Sequence, residues 1–185
     1  MHEALLATRY AKALFDLSIE MNLIDKVRDD MDLLLSVFNG SRDFRLMLKS
    51  PVISDDKKNA VIKAIFTDKI HELTSRFFRL IVKKHREKNL DEIARQYIIL
   101  FNEFKNITVV HLKSAVPITD ELRQKFIRIM EGHTKGKVEL IEQVDPQLLG
   151  GFVLSFGDRQ FDASLQKDIS DLKHEFEANP YIREI

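Results

Sequence analysis

The sequence predicts an α+β protein that is mostly α. An N-terminal six-helix bundle over residues 1–105 is followed by a small C-terminal α/β domain over residues 106–185 that contains a β-hairpin. Three observations carry this expectation. Up to residue 105, apolar residues recur at i, i+3 and i+4 in successive segments separated by turn-forming residues. After Asn106 the period changes, with Ile107, Val109 and Val110 opening a β-branched run that reaches Ala115 before Pro117. Between Val144 and Ser164, finally, Gly150-Gly151 and Gly157-Asp158 bracket Phe152, Leu154 and Phe156, which alternate with Val153 and Ser155 as one aromatic-rich face of a strand.

The first helix carries Ala4, Ala7, Ala11, Leu14 and Ser18 on one side and Leu6, Tyr10, Ala13, Leu17 and Met21 beside it. So many alanines permit another helix backbone to come close, either a guest's or a neighbour's within the same bundle. In the second helix Ile24, Val27, Met31, Leu34, Leu35 and Phe38 point inward, opposite Asp25, Lys26, Arg28, Asp29 and Asp30, and Asn39-Gly40 stops it. Ser41 caps a short third helix with Phe44, Met47 and Leu48 inward, which Pro51 ends. Ser54-Asp55-Asp56 starts a fourth helix with Ala60, Val61, Ala64 and Ile65. The fifth places Leu73, Phe77, Leu80, Ile81 and Lys84 on one face with Phe78 and Val82 flanking, an arc wide enough for two neighbours. The sixth carries Leu90, Ile93, Tyr97, Leu100, Phe101 and Phe104 in register.

Beyond the bundle, Thr119 caps a helix with Leu122, Phe126, Ile129 and Met130 inward and Gly132 at its end, and Lys137 to Val144 alternates as a strand. Asp145-Pro146 opens a turn into the hairpin. Ser164 then caps a last helix with an apolar stripe of Leu165, Ile169, Leu172 and Phe176. The tail Asn179 to Ile185 is expected to be loosely held, and an exposed link is expected within Lys105 to Ser114 or near Gly132 to Gly136.

Composition narrows the function. Lys plus Arg and Asp plus Glu both number 29, so no global field draws the chain to nucleic acid or an anionic surface. There is no cysteine, which removes disulfides, thiolate catalysis and zinc-cysteine sites. No apolar run approaches the ~20 residues of a membrane helix, and the N-terminus, with Glu3, lacks a cleavable apolar core. The six histidines form no ligand spacing, no nucleophile elbow surrounds Ser164, and no Lys-Ser/Thr follows Gly150-Gly151 to make a phosphate loop. Neither a catalytic residue, a metal site nor a cofactor is expected. The run Lys83 to Lys88 reads either as a solvated helix end or as an RNA-binding patch, and the absence of interleaved aromatics favours the first.

These residues resemble a known family. Arg9-Tyr10-Ala11-Lys12-Ala13-Leu14-Phe15 near one end, and Val144-Asp145-Pro146, Leu149-Gly150-Gly151, Gly157-Asp158 and Asp162-Ala163-Ser164 near the other, are similar to the two signatures of the delta subunit of F-type ATP synthases, the oligomycin-sensitivity-conferring protein of mitochondria. Ser50-Pro51-Val52-Ile53-Ser54 and Ala115-Val116-Pro117-Ile118-Thr119 also fit, whereas Gln160 and Phe161 depart from it. The resemblance implies a non-catalytic stator subunit linking the catalytic head to the peripheral stalk. It implies that the N-terminal helix of an alpha subunit docks between the first and fifth helices, here at Tyr10, Ala13, Leu14, Leu17, Phe77, Leu80 and Ile81. It further implies that the C-terminal domain, with Asp145, Pro146, Gly150, Gly151, Gly157, Asp158, Asp162 and Ser164, engages the end of the b subunit. The expected place is the cytoplasmic face of a bacterial membrane, since no transit peptide is present.

Overall fold

Helices form wherever the sequence repeats at helical spacing: α1 (His2–Glu20), α2 (Ile24–Gly40), α3 (Arg42–Lys49), α4 (Asp55–Phe66), α5 (Glu72–Lys83) and α6 (Leu90–Lys105). The computed structural model describes residues 2–134 and 136–178, so the expectation for the tail from Asn179 onward lies outside the described residues. The chain divides into two units, Met1–Phe104 and Lys105–Ile185.

In the first unit Ala7, Ala11, Leu14 and Ser18 of α1 are buried. Ser18 Oγ lies 2.8 Å from Tyr97 Oη on α6, and that hydroxyl also donates to the Ile24 carbonyl at 3.2 Å. Burial pushes the Tyr97 phenol up to about 12, so it stays a neutral donor. Ala7 and Ala11 therefore serve packing within the bundle. An edge-to-face series Phe38, Phe44, Phe66 and Phe78 ties α2, α3, α4 and α5 together, with centroids 5.4 to 6.1 Å apart. Ser41 Oγ caps α3 by accepting from Phe44 N–H at 3.2 Å.

One helix turns a different face inward from the one its apolar spacing suggests, and a second buries a charge beside the expected apolar face. On α4, Ala60, Val61 and Ala64 are exposed, and Lys58, Ile62 and Phe66 are buried. Lys58 Nζ meets Glu87 Oε1 at 2.5 Å, and both side chains are more than nine-tenths buried. Paired in this way, a lysine can occupy a core position that it would otherwise vacate. Asp30 of α2, expected among the solvated charges, is buried as well.

The second unit is a four-stranded sheet of order β2-β1-β3-β4, formed by β1 (Ile107–Ser114), β2 (Lys137–Val144), β3 (Gly151–Phe156) and β4 (Arg159–Ser164). β1 and β2 run parallel through the crossover helix α7 (Asp120–Thr134); the other two pairings are antiparallel. Val110, Leu112, Met130 and Leu154 form the core, with Phe126, Val138, Leu140, Phe152 and Phe156 packed against it. α7 continues through Gly132 rather than ending there, and Leu122 and Ile129 are half exposed. A helix resting mainly on β2 buries only the narrow arc that Phe126 and Met130 occupy. The last helix, α8 (Leu165–Ala178), is capped as expected, but Leu165, Ile169, Leu172 and Phe176 are left uncovered.

β1 is an inner strand, so the first of the two expected exposed links narrows to Lys105 and Asn106; the second, near Gly132 to Gly136, contains residue 135, which lies outside the described residues. Limited proteolysis is expected to release a stable fragment ending near residue 105; degradation without that intermediate would count against independently folded units. A second expectation concerns Gly151, whose φ is +78° and where a Cβ would stand 2.0 Å from the Ala163 carbonyl oxygen. Gly151→Val should unfold the second unit while amide resonances of the first keep their positions, a separation checked by two-dimensional NMR.

Candidate functional site

The first unit carries an open apolar groove of about 480 Å³ between the C-terminal end of α1 and the first turns of α5. Leu17 and Met21 line one wall, Leu73, Phe77 and Leu80 the other, and His71, Glu72 and Arg76 the polar end. Leu17, Met21 and Leu80 are left open by the fold, Leu17 at 41% and Leu80 at 45% exposure, whereas Leu73 is half-buried and Phe77 is a core residue that forms the floor. Uncovered apolar wall on two adjacent helices is what an amphipathic guest helix requires.

Of the residues expected there, Leu17, Phe77 and Leu80 are brought together. Ala13 and Tyr10 stand one and two turns earlier on the same α1 stripe, exposed and half-buried respectively. Leu14 and Ile81 lie elsewhere. Both are core residues, at 2% and 0% exposure, so they support the groove from behind and offer a guest no surface. The correction follows from phase: one residue beyond Ala13 or Leu80 is a rotation of about 100° toward the bundle interior.

The groove is positioned by a polar contact that the sequence did not disclose. The Asp30 carboxylate on α2 accepts from the His71 backbone N–H at 3.0 Å and from the Thr74 hydroxyl at 2.5 Å. His71 Nδ1 in turn caps α5 by accepting from Leu73 N–H at 3.1 Å. α5 is thereby held at its first turn, beside the polar end of the groove. Burial raises the Asp30 pKa above the usual carboxylate value against the lowering effect of those hydrogen bonds.

The glycine- and aspartate-rich stretch of the second unit forms a folding framework. Asp145 Oδ1 accepts from Gln147 N–H at 3.0 Å, with Pro146 at the start of the short 3-10 turn. Gly150 accepts Leu165 N–H at 3.1 Å on its carbonyl, and a Cβ there would displace the end of the Leu165 side chain. Gly157, at φ +52°, and Asp158 connect β3 to β4. Asp162 Oδ1 accepts from Ser164 N–H at 3.0 Å, which together with the Ser164 hydroxyl lowers its pKa, and Ser164 Oγ caps α8 through Lys167 N–H at 3.2 Å. Every polar group named here, Asp158 apart, is engaged by its own chain. Among the described residues no cluster of His, Cys, Asp or Glu could hold a metal ion, and no helix is long and apolar enough to cross a membrane.

The family model described as ATP synthase delta (OSCP) subunit matches residues 6–176. The chain belongs to that family. It is 37% identical over 176 residues to the ATP synthase subunit delta of Cytophaga hutchinsonii, covering 95% of this chain and 96% of that one. To the subunit delta of Christiangramia forsetii it is 35% identical, with 97% of each covered. A chain in the mitochondrial ATP synthase hexamer of Toxoplasma gondii shares the fold, with a TM-score of 0.72 over 94% of this chain and 98% of that one at 24% identity. Members of this family are structural, non-catalytic subunits, and so is this chain. The RNA-binding alternative finds no support. Within Lys83 to Lys88, Glu87 turns inward to Lys58 and His85 lies 3.4 Å from Asp55, which breaks the run as a continuous cationic stripe.

The buried Asp30 gives a pH-dependent expectation. Because its folded pKa lies above the unfolded value of about 3.9, the ionised form is disfavoured by folding, and the contribution of Asp30 falls as pH rises through that interval. Asp30→Asn keeps an acceptor oxygen for His71 and Thr74 without the charge. At pH 7 it should be at least as stable as the wild type by urea denaturation, with the gap closing toward pH 4. A loss above about 1 kcal/mol at pH 7 would show that the charge-assisted hydrogen bonds outweigh burial.

Proposed function

We propose that this chain is the stator link between the catalytic head and the peripheral stalk of an F-type ATP synthase. Its first unit receives the N-terminal helix of an alpha subunit, and its second engages the C-terminal end of the b subunit. The observation that carries the reading is the open groove lined by Leu17, Met21, Leu73, Phe77 and Leu80, with Leu17, Met21 and Leu80 exposed, in a member of the delta family. The link holds the alpha and beta subunits against the torque of the rotor, so that proton flow drives ATP synthesis rather than idle rotation. The second attachment is assigned to the C-terminal unit, where the stripe Leu165, Ile169, Leu172 and Phe176 on α8 is uncovered. Association with the membrane is through the complex, on the cytoplasmic face of a bacterial cell membrane.

Burying three or four large side chains of a guest helix contributes on the order of 5 to 10 kcal/mol before association entropy is subtracted, enough for tight binding. Calorimetric titration of the full chain with a peptide of the alpha-subunit N-terminus tests this. Leu17→Glu and Leu80→Glu put charges into apolar walls that are already solvent-facing, so they should abolish measurable binding while leaving the circular dichroism unchanged. Ala13→Trp should weaken binding strongly by filling the approach surface, and Lys84→Glu should matter little because exposed charges contribute little. Wild-type affinity in both glutamate variants would place the site elsewhere.

A further inference from the structure

The two rims of the groove carry opposite charge. On α1, the side chains next to the apolar stripe and away from α5 are Asp16 and Glu20, three residues after Ala13 and Leu17 and one turn apart. Both are exposed, and among the described residues neither takes part in an ion pair. Arg9 and the exposed Lys12 continue the row toward the N-terminus, so the rim is acidic from Asp16 onward, beside the Leu17 and Met21 that line the groove. On α5 the matching row is Arg76 and Lys83, four residues before and three after Leu80. Arg76 pairs with Glu72 at 2.5 Å, but both are 69% exposed, and such a solvent-facing pair exchanges partners at small cost. With Lys84 in the last turn, the α5 rim remains net positive after Glu72 is counted.

We propose that this asymmetry sets the direction in which a guest helix lies. The inference rests on the groove being a helix-docking site and goes beyond it by specifying the guest: an amphipathic helix with basic residues on the flank along α1 and acidic residues on the flank along α5. An apolar stripe by itself is nearly indifferent to polarity, because turning a helix end for end keeps its stripe in the groove. Reversal does exchange the two flanks. A guest with a basic and an acidic flank is therefore attracted along both rims in one direction and repelled along both in the other. The rims leave affinity to the apolar wall and decide orientation.

The test uses two synthetic amphipathic peptides with the same Leu/Ile stripe, one with Lys on its left flank and Glu on its right and the other with the flanks exchanged. Each carries a nitroxide at its N-terminus, and paramagnetic broadening is read from amides of the full-length chain near Met21 and near Leu6, the two ends of the α1 wall. The two peptides should bind with similar affinity and in opposite directions, each favouring one direction by on the order of tenfold at low salt, a preference that fades in 1 M NaCl. Reversing the rims with Asp16→Lys, Glu20→Lys, Arg76→Glu and Lys83→Glu should invert the direction of both. If both peptides bind and broaden the same end, or both ends equally, the orientation rule is wrong while the groove stands. If neither peptide binds the wild-type chain, the docking reading fails and the rule fails with it.

Discussion

A helix with two apolar stripes and room in the core for only one of them is the constraint on which the rest of the first unit depends. In α1 the small stripe wins. Ala7 and Ala11 let neighbouring backbones approach, and Ser18 shares a hydrogen bond with Tyr97, a fully buried residue whose hydroxyl also reaches the Ile24 carbonyl. Rotating α1 to bury Leu17 and Met21 would expose the alanines, break that contact and force long side chains into a close helix crossing. The larger stripe is therefore turned outward by the internal packing of the smaller one, and a docking surface results from packing rules without any residue being placed for binding alone.

The opposite wall follows from a comparable conflict on α5. Thr74, Phe78, Ile81 and Val82 already fill the side facing the bundle, so Leu73 and Leu80, at the edge of the same broad arc, remain at the surface. Asp30 fixes where the helix starts, through one backbone and one side-chain donor in its first turn. A groove whose walls are set by buried contacts requires little ordering when a guest arrives, so more of the apolar burial is retained as affinity. That makes a short amphipathic segment a sufficient ligand.

What was legible in the sequence is what depends on period and on turn chemistry. Six helical repeats, the change at Asn106, both halves of the hairpin and the Ser164 cap are local patterns, and each appears where the residues put it. What was not legible depends on partners distant along the chain. Glu87 belongs to a charged helix end until the fold brings Lys58 to it, and Asp30 to a mixed charged face until Thr74 arrives. The alanines of α1 posed a choice that spacing cannot resolve, since a stripe of small residues suits a guest and a neighbour equally. Leu14, Phe77 and Ile81 are buried for the same reason: a sequence shows that a face is apolar but not which edge of that face a neighbour covers.

The second unit shows why a signature of glycines and aspartates need not mark a ligand site. Gly150, Gly151, Asp162 and Ser164 are consumed in bringing the end of β4, the start of β3 and the first turn of α8 to one point. Their effect is to launch α8 in a fixed direction with an apolar stripe that the sheet does not cover. Each unit thus has its own core and its own uncovered apolar surface, with Lys105 and Asn106 joining them. In the proposed role the two attachments act in series. Load passes through both, and the weaker of them limits the torque the link withstands. A substitution that loosens only one attachment would then uncouple the machine as completely as loss of the whole chain, even though half of the protein stayed folded and bound.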